Sequence, residues 1–241
     1  MPTIYWAGDS TVKQNSIATW PQTGIGQEFH RFMHRDVRIE NHAENGRSTK
    51  SFLEEGRLTR FEERMQPGDF LFIQFGHNDE KAEDSARYAD PETDFPANLE
   101  RFVRAARERG ATPVIITPVT RFNRQGQGML YSHDRWAEAA RRTADRLKVA
   151  MVDLTALSEQ LVDALGDSAR TAFYMNLPAG VYPHFPQGQR DNTHLQPVGA
   201  VAFGGLIARA LYQLGGEYAA LLCPDFEQYI HEAVGMGCNR E

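Results

Sequence analysis

Residues 69–79 read DFLFIQFGHND: an almost unbroken apolar run from Phe70 to Phe75, ending in Gly76-His77-Asn78-Asp79. A strand that is apolar at nearly every position has no solvated face, which marks a central strand of a parallel sheet covered on both sides. Residues 2–7 (PTIYWA), 37–42 (VRIENH), 112–117 (TPVIIT) and 149–153 (VAMVD) have the same β-branched and aromatic character. Between these runs apolar residues recur at helical spacing: Ile25, Phe29, Phe32 and Met33; Leu99, Phe102, Val103 and Ala106; Trp136, Ala140, Ala144 and Leu147. Gly110 closes the Leu99 segment, and Pro67-Gly68 turns the chain into the third strand. This alternation predicts an α/β fold, a three-layer α/β/α sandwich around a five-stranded parallel sheet.

The 241 residues, 41% of them hydrophobic, suffice for one large core, so a single domain over 1–241 is expected. A net charge of −6 offers no cationic footprint for a phosphate backbone, which argues against nucleic acid as a partner. No eighteen consecutive residues are apolar, and MPTIYWAGDS lacks the pattern of a secretory leader. The expectation is a protein without a membrane partner and a cytoplasmic location, or a secreted one if a leader was removed. Cys223 and Cys238 are too few for a disulfide scaffold and read as thiols, with a bridge closing the tail as the alternative.

After an apolar helix over roughly 198–214 comes a tail, 215–241, whose Leu221, Leu222, Phe226, Tyr229 and Ile230 are too apolar for a solvated linker. It reads as a C-terminal helical extension that docks on the domain or forms a homo-oligomer contact. Residues 118–132 and 170–197, rich in Gly, Pro, Asn, Gln and aromatics, break the alternation and are expected to build the site.

Three turns carry chemistry. The first run leads into Gly8-Asp9-Ser10, placing a hydroxyl just beyond a strand's carboxyl end, where open sheets present ligands. Taken alone, Ser10 reads equally well as a helix cap. The second run leads through Asn45 to Gly46-Arg47, and the third into His77-Asn78. A bare Gly46 N–H and the Asn78 amide could join the Ser10 N–H in an oxyanion hole, though each turn alone reads as ordinary. Finally, in Asp191-Asn192-Thr193-His194 the aspartate is spaced to accept from Nδ1–H while Nε2 takes a serine proton. A metal site of His77, Asp79, Asp191 and His194 is the competing reading, without the spacing of known zinc motifs. Asp9 reads as a residue that holds its turn. Arg47, Arg121 and Arg124 read either as structural or solvated cations or as partners for a substrate anion, and His77 is likewise open.

Ser10, Gly46, Asn78 and His194, in that order, resemble the four blocks of the SGNH (GDSL-type) hydrolases, and Asp191 occupies the DxxH position. The strings AGDSTV, NHAENGRS, FGHNDEK and DNTH look like the rhamnogalacturonan acetylesterases of carbohydrate esterase family 12. The GxSxG elbow of a different hydrolase fold is absent. This resemblance, over residues 3 to about 210, implies a flavodoxin-like winding and a triad of Ser10, Asp191 and His194. It also implies an oxyanion hole of Ser10, Gly46 and Asn78, no cofactor, and an acetylated oligosaccharide as substrate with Arg47, His77 and Arg121 as candidate contacts. Another SGNH acylhydrolase (acetylxylan esterase, lysophospholipase or thioesterase) and a non-catalytic sugar-binding protein are the alternatives.

Overall fold

Each predicted strand is present to within one residue at either end: β1 (Thr3–Gly8), β2 (Arg38–Asn41), β3 (Phe70–Gln74), β4 (Thr112–Ile116) and, after a two-stranded antiparallel ribbon of β5 (Arg124–Gln125) and β6 (Gly128–Met129), β7 (Ala150–Val152). The structure is a computed structural model that describes residues 1–125, 128–129 and 133–230, with the backbone alone at 124–125 and 128–129. The helices are α1 (Ile25–Glu28), α2 (Thr49–Glu54), α3 (Thr59–Glu62), α4 (Asp94–Glu108), α5 (Asp134–Leu147), α6 (Leu154–Leu165), α7 (Ser168–Phe173), α8 (Pro197–Leu214) and α9 (Gly216–Ala219). The chain groups into two compact units, Met1–Ser10 with Arg35–Pro118 and His133–Thr155, and Thr11–His34 with Val119–Ser132 and Ala156–Glu241.

The first unit holds the five-stranded sheet, all parallel, in the order β2-β1-β3-β4-β7. The chain starts at β1, steps one way to β2, then crosses to β3 and runs outward the other way. The reversal lies between β1 and β3, the place where doubly wound sheets bind ligands. On one face Tyr5, Ala7, Leu71, Ile73, Phe75 and Ile115 pack with Phe52, Phe61, Leu99, Phe102 and Ala140 from α2 to α5. The alternate residues Ile4, Trp6, Phe72, Val114 and Ile116 are buried as well, as continuous apolar strands require. Along α4 the buried side chains Phe95, Leu99, Phe102, Val103 and Ala106 follow the predicted stripe. The helix ends in a Schellman turn, with Ala111 N–H donating to Ala106 O and Gly110 N–H to Arg107 O, both at 3.0 Å.

The second unit is built around α8. Its length and apolar content would suit a membrane span, yet half of it is buried in the protein, and Ala200, Phe203, Ile207 and Leu211 form its inner face. The helix predicted over Ile25–Met33 is instead α1 followed by a 3-10 turn, Phe29–Phe32. A 3-10 turn aligns residues three apart, and both phenylalanines reach α8 where it is thinnest. A Cβ on Gly204 would lie 2.9 Å from Phe32 and 3.5 Å from Phe29.

As far as residue 230 the tail docks on its own unit. His34 N–H donates to Leu221 O at 2.7 Å and Cys223 N–H to Phe32 O at 2.9 Å, while Leu221, Leu222, Phe226 and Ile230 are buried. Cys223 is a free thiol; Cys238 lies outside the described residues.

Phe102, fully buried between Phe52 and Phe75, tests the packing of the first unit. Phe102→Ala is expected to cost about 3–5 kcal/mol of unfolding free energy, read by urea or guanidinium denaturation.

Candidate active site

The carboxyl edge of the sheet brings three turns together in the first unit. Gly8 pairs with Gln74 at the end of the β1–β3 ladder, so the Asp9-Ser10 turn and the turn after β3 leave the sheet side by side. Pairing with β2 continues beyond the strand through His42 N–H to Trp6 O at 2.9 Å and Glu44 N–H to Gly8 O at 3.1 Å. Ser10, 8% exposed, caps no helix, because the next helical turn begins at Ile17 with Ser16 as its N-cap.

After β3 the backbone turns sharply at Gly76, whose φ is +146°; a Cβ there would meet Pro118 Cγ at 2.8 Å, so only glycine fits. The Asn78 side chain that follows is held at both ends. Its Nδ2 donates to Arg47 O at 3.1 Å, and its Oδ1 accepts from Arg87 at 3.3 Å. One of its two amide hydrogens is thereby used, which leaves the second for a ligand. Gly46, at φ +72°, has a backbone N–H with no side chain of its own beside it; Arg87 Nη1 lies 3.7 Å from where a Cβ would stand.

A buried carboxyl ties these turns together. Asp79 Oδ1 accepts from Thr49 N–H at 2.8 Å and from Thr49 Oγ1 at 2.5 Å, fixing the start of α2 to the turn after β3. Burial drives the Asp79 carboxyl upward; the two Thr49 bonds oppose this, Asp9 adds to it, and the result is about 7. His77 Nδ1 stands 3.2 Å from Asp9 Oδ2, its ring 4.2 Å from that of His133, and His133 Nδ1 is 2.7 Å from Glu80 Oε2. Asp9 thus faces His77 from the neighbouring turn, and the 3% exposed His77 is turned to the interior.

The second unit supplies the Asp191–His194 pair. Asp191 Oδ2 accepts from His194 Nδ1 at 2.6 Å, while Oδ1 accepts from the N–H groups of Thr193 at 2.8 Å and His194 at 3.0 Å. Burial alone would raise this carboxyl, but the His194 hydrogen bond and charge and the two backbone N–H groups outweigh it and hold it at about 2. A carboxylate that low only accepts, so Nδ1 carries the proton and Nε2 is the basic nitrogen of the ring.

The loop after β4 braces this turn: Phe122 N–H donates to Asn192 O at 2.8 Å and Arg121 Nε to Thr193 Oγ1 at 3.1 Å. From below, Met175 N–H reaches His194 O at 2.9 Å and Asn176 Nδ2 reaches Asp191 O at 3.0 Å. Gln196 Nε2 holds Tyr174 O at 2.6 Å.

Two of the arginines weighed as partners for a substrate carboxylate have structural partners. Arg47 pairs with Glu55 at 3.0 Å, and Arg121 is tied to Thr193 as described; the Arg124 side chain lies outside the described residues. The four side chains weighed as metal ligands each have a partner within their own unit: Asp9 for His77, Thr49 for Asp79, and each other for Asp191 and His194. Thr49, Arg87, Glu80, His133 and Asn176 were not singled out from the sequence. Thr49 and Glu80 do stand within or directly beside the NHAENGRS and GHND strings, whereas Arg87, His133 and Asn176 carry no local signal.

The first unit holds a hydroxyl and N–H donors at the switch point of its parallel sheet, and the second holds an imidazole oriented by a carboxylate; these are the kinds of group that serine hydrolases use. Residues 6–200 match the GDSL-like Lipase/Acylhydrolase family, and the chain belongs to it. It is 36% identical over 213 residues to the rhamnogalacturonan acetylesterase RhgT of Bacillus subtilis (strain 168), covering 88% of this chain and 90% of that protein. To the probable rhamnogalacturonan acetylesterase YesY of the same organism it is 34% identical over 212 residues, covering 88% and 93%. The X-ray structure of YxiM from Bacillus subtilis shares the fold, with a TM-score of 0.77 at 24% identity; the match covers 89% of this chain and 57% of that longer one. The protein is therefore a hydrolase of ester bonds.

The raised Asp79 carboxyl makes a pH-dependent contribution. Because its native value of about 7 lies above that of an unfolded aspartate, its stabilisation is complete in acid and is lost as the pH rises toward 7. The stability of the wild type relative to Asp79→Asn is expected to fall by on the order of 1–3 kcal/mol between pH 5 and 8, measured by denaturant unfolding at each pH.

Proposed function

We infer that this protein is a serine esterase that removes O-acetyl groups from pectic, rhamnogalacturonan-type oligosaccharides. The observation that carries the reading is the 2.6 Å Asp191–His194 bond, which leaves an imidazole base in the tautomer that serine chemistry needs. The choice of substrate is supported by the likeness to two rhamnogalacturonan acetylesterases along most of the chain.

The chemistry follows from the residues. His194 Nε2 takes the Ser10 proton as Oγ attacks the acetyl carbonyl, and the Asp191 carboxylate stabilises the imidazolium that forms. The oxyanion is held by the N–H groups of Ser10 and Gly46 and by the second amide hydrogen of Asn78. The tetrahedral intermediate collapses, the C–O bond to the sugar breaks, and His194 returns its proton to the departing sugar oxygen. Water, deprotonated by His194, then attacks the acetyl-serine; acetate leaves and Oγ recovers its proton. Every proton removed is returned within the cycle, so the scheme calls on no cofactor.

Acetate release from acetylated rhamnogalacturonan oligomers is expected to exceed that from acetylated xylan oligomers. A preference for xylan would remove the pectic assignment and leave an acetylesterase. Asn78→Ala is expected to lower kcat by roughly a hundred- to a thousandfold, about 3–4 kcal/mol of transition-state stabilisation, in steady-state assays on p-nitrophenyl acetate. Asp191→Asn, which retains the shape and loses the charge and tautomer control, is expected to lower kcat by about 10⁴.

A further inference from the structure

Within the second unit a cavity of about 920 Å³ opens beside the Asp191–His194 turn. That volume lies at the upper end of ligand pockets and far exceeds what an acetyl group needs. Its wall includes Asn192, the residue directly after Asp191, together with Asn176 and Gln189; Tyr182 adds an aromatic ring, and Arg170 and Arg190 supply positive charge. Among the described residues no aspartate or glutamate lines it. Neither arginine has an ion-pair partner among the described residues, unlike Arg47, which pairs with Glu55.

The wall is built rather than loose. Leu177 and Gln189 exchange backbone hydrogen bonds at 2.9 and 3.1 Å, and Gly180 N–H closes on Pro186 O at 3.0 Å. Asn176 Nδ2 donates to Asn192 Oδ1 at 2.9 Å as well as to Asp191 O, so the floor of the cavity and the carboxylate's own turn share a residue. The Arg170 guanidinium lies 4.9 Å above the ring of Phe122, whose N–H holds Asn192 O. Stacking of this kind fixes the plane of a guanidinium while leaving its edge donors for a ligand.

Two exposed guanidinium groups without an ion-pair partner among the described residues, amide side chains and an aromatic ring around one cavity suit an anionic carbohydrate: carboxylate to arginine, hydroxyls to amides, ring face to tyrosine. We propose that the cavity between Arg170 and Arg190 is an acidic-sugar subsite, which binds the carboxylate of a uronate residue neighbouring the acetylated sugar. This inference deepens the pectic esterase reading and rests on it. The sequence left Arg47 and Arg121 open between structural or solvated cations and acidic-sugar contacts; the proposed contact lies with two arginines of the 170–197 segment.

The test compares one acetylated, galacturonate-containing oligomer with its methyl-esterified form, in which the negative charge is removed. Wild type is expected to favour the free acid by about five- to tenfold in kcat/KM, through KM, the size of a partly exposed charge-assisted contact. The double variant Arg170→Gln/Arg190→Gln is expected to lose that preference, and Arg170→Lys/Arg190→Lys, which retains the charge, to keep part of it. The subsite is overturned if wild type shows no preference, or if the Gln double variant retains it while acetate release from the pectic oligomer persists. Failure of wild type to deacetylate either oligomer, with p-nitrophenyl acetate still cleaved, would instead remove the pectic reading and the subsite with it.

Discussion

Asp191 accepts three N–H bonds from the turn it begins, one of them from the His194 ring at 2.6 Å. This arrangement decides what the imidazole can do. A histidine with a mobile carboxylate neighbour samples both tautomers; here the carboxyl, held at about 2, stays an acceptor across the pH range in which an esterase works. The elements around it brace that geometry. The 119–122 segment grips Asn192 and Thr193, Asn176 and Met175 hold the carbonyls of Asp191 and His194, and α8 starts directly behind at Pro197. Rigid support of this kind lets one hydrogen bond set the role of a side chain.

The sheet edge solves a different problem, that of aiming N–H donors. Asn78 is gripped at its oxygen by Arg87 and through one hydrogen by Arg47 O, so the direction of the other hydrogen is set before any ligand arrives. Asp79 fixes the start of α2 to the same turn through Thr49. Its raised carboxyl is the energetic cost of that clamp, because a buried carboxylate beside Asp9 is poorly solvated. Preorganised donors stabilise an oxyanion because no reorientation is needed when the charge appears.

Much of this was legible in the chain. DFLFIQF, PTIYWA and TPVIIT marked the central strands to within a residue because burial on both faces leaves a composition that survives without structural context. The half-buried edge strands β2 and β7 were legible from their β-branched residues and their place in the alternation. DxxH was legible because its geometry is local, within a single turn. Contacts between distant residues were not. Thr49 and Asp79 are thirty positions apart, and nothing in either neighbourhood names the other. The Ile25–Met33 segment was misread as one helix because spacing alone cannot show that Gly204 lets two phenylalanines approach α8 from a 3-10 turn. Arg47 illustrates a further limit: a cation near a site in sequence cannot be told from one that already has an acidic partner, here Glu55, which Arg57 shares.

Covalent labelling most directly tests the proposed roles of Ser10 as nucleophile and His194 as its base. Incubation with an organophosphonate ester, followed by peptide mass spectrometry, is predicted to place a single adduct on Ser10, in step with loss of activity, and to give little adduct in His194→Ala. An adduct on another residue accompanying inactivation, or full turnover by Ser10→Ala, would contradict the account.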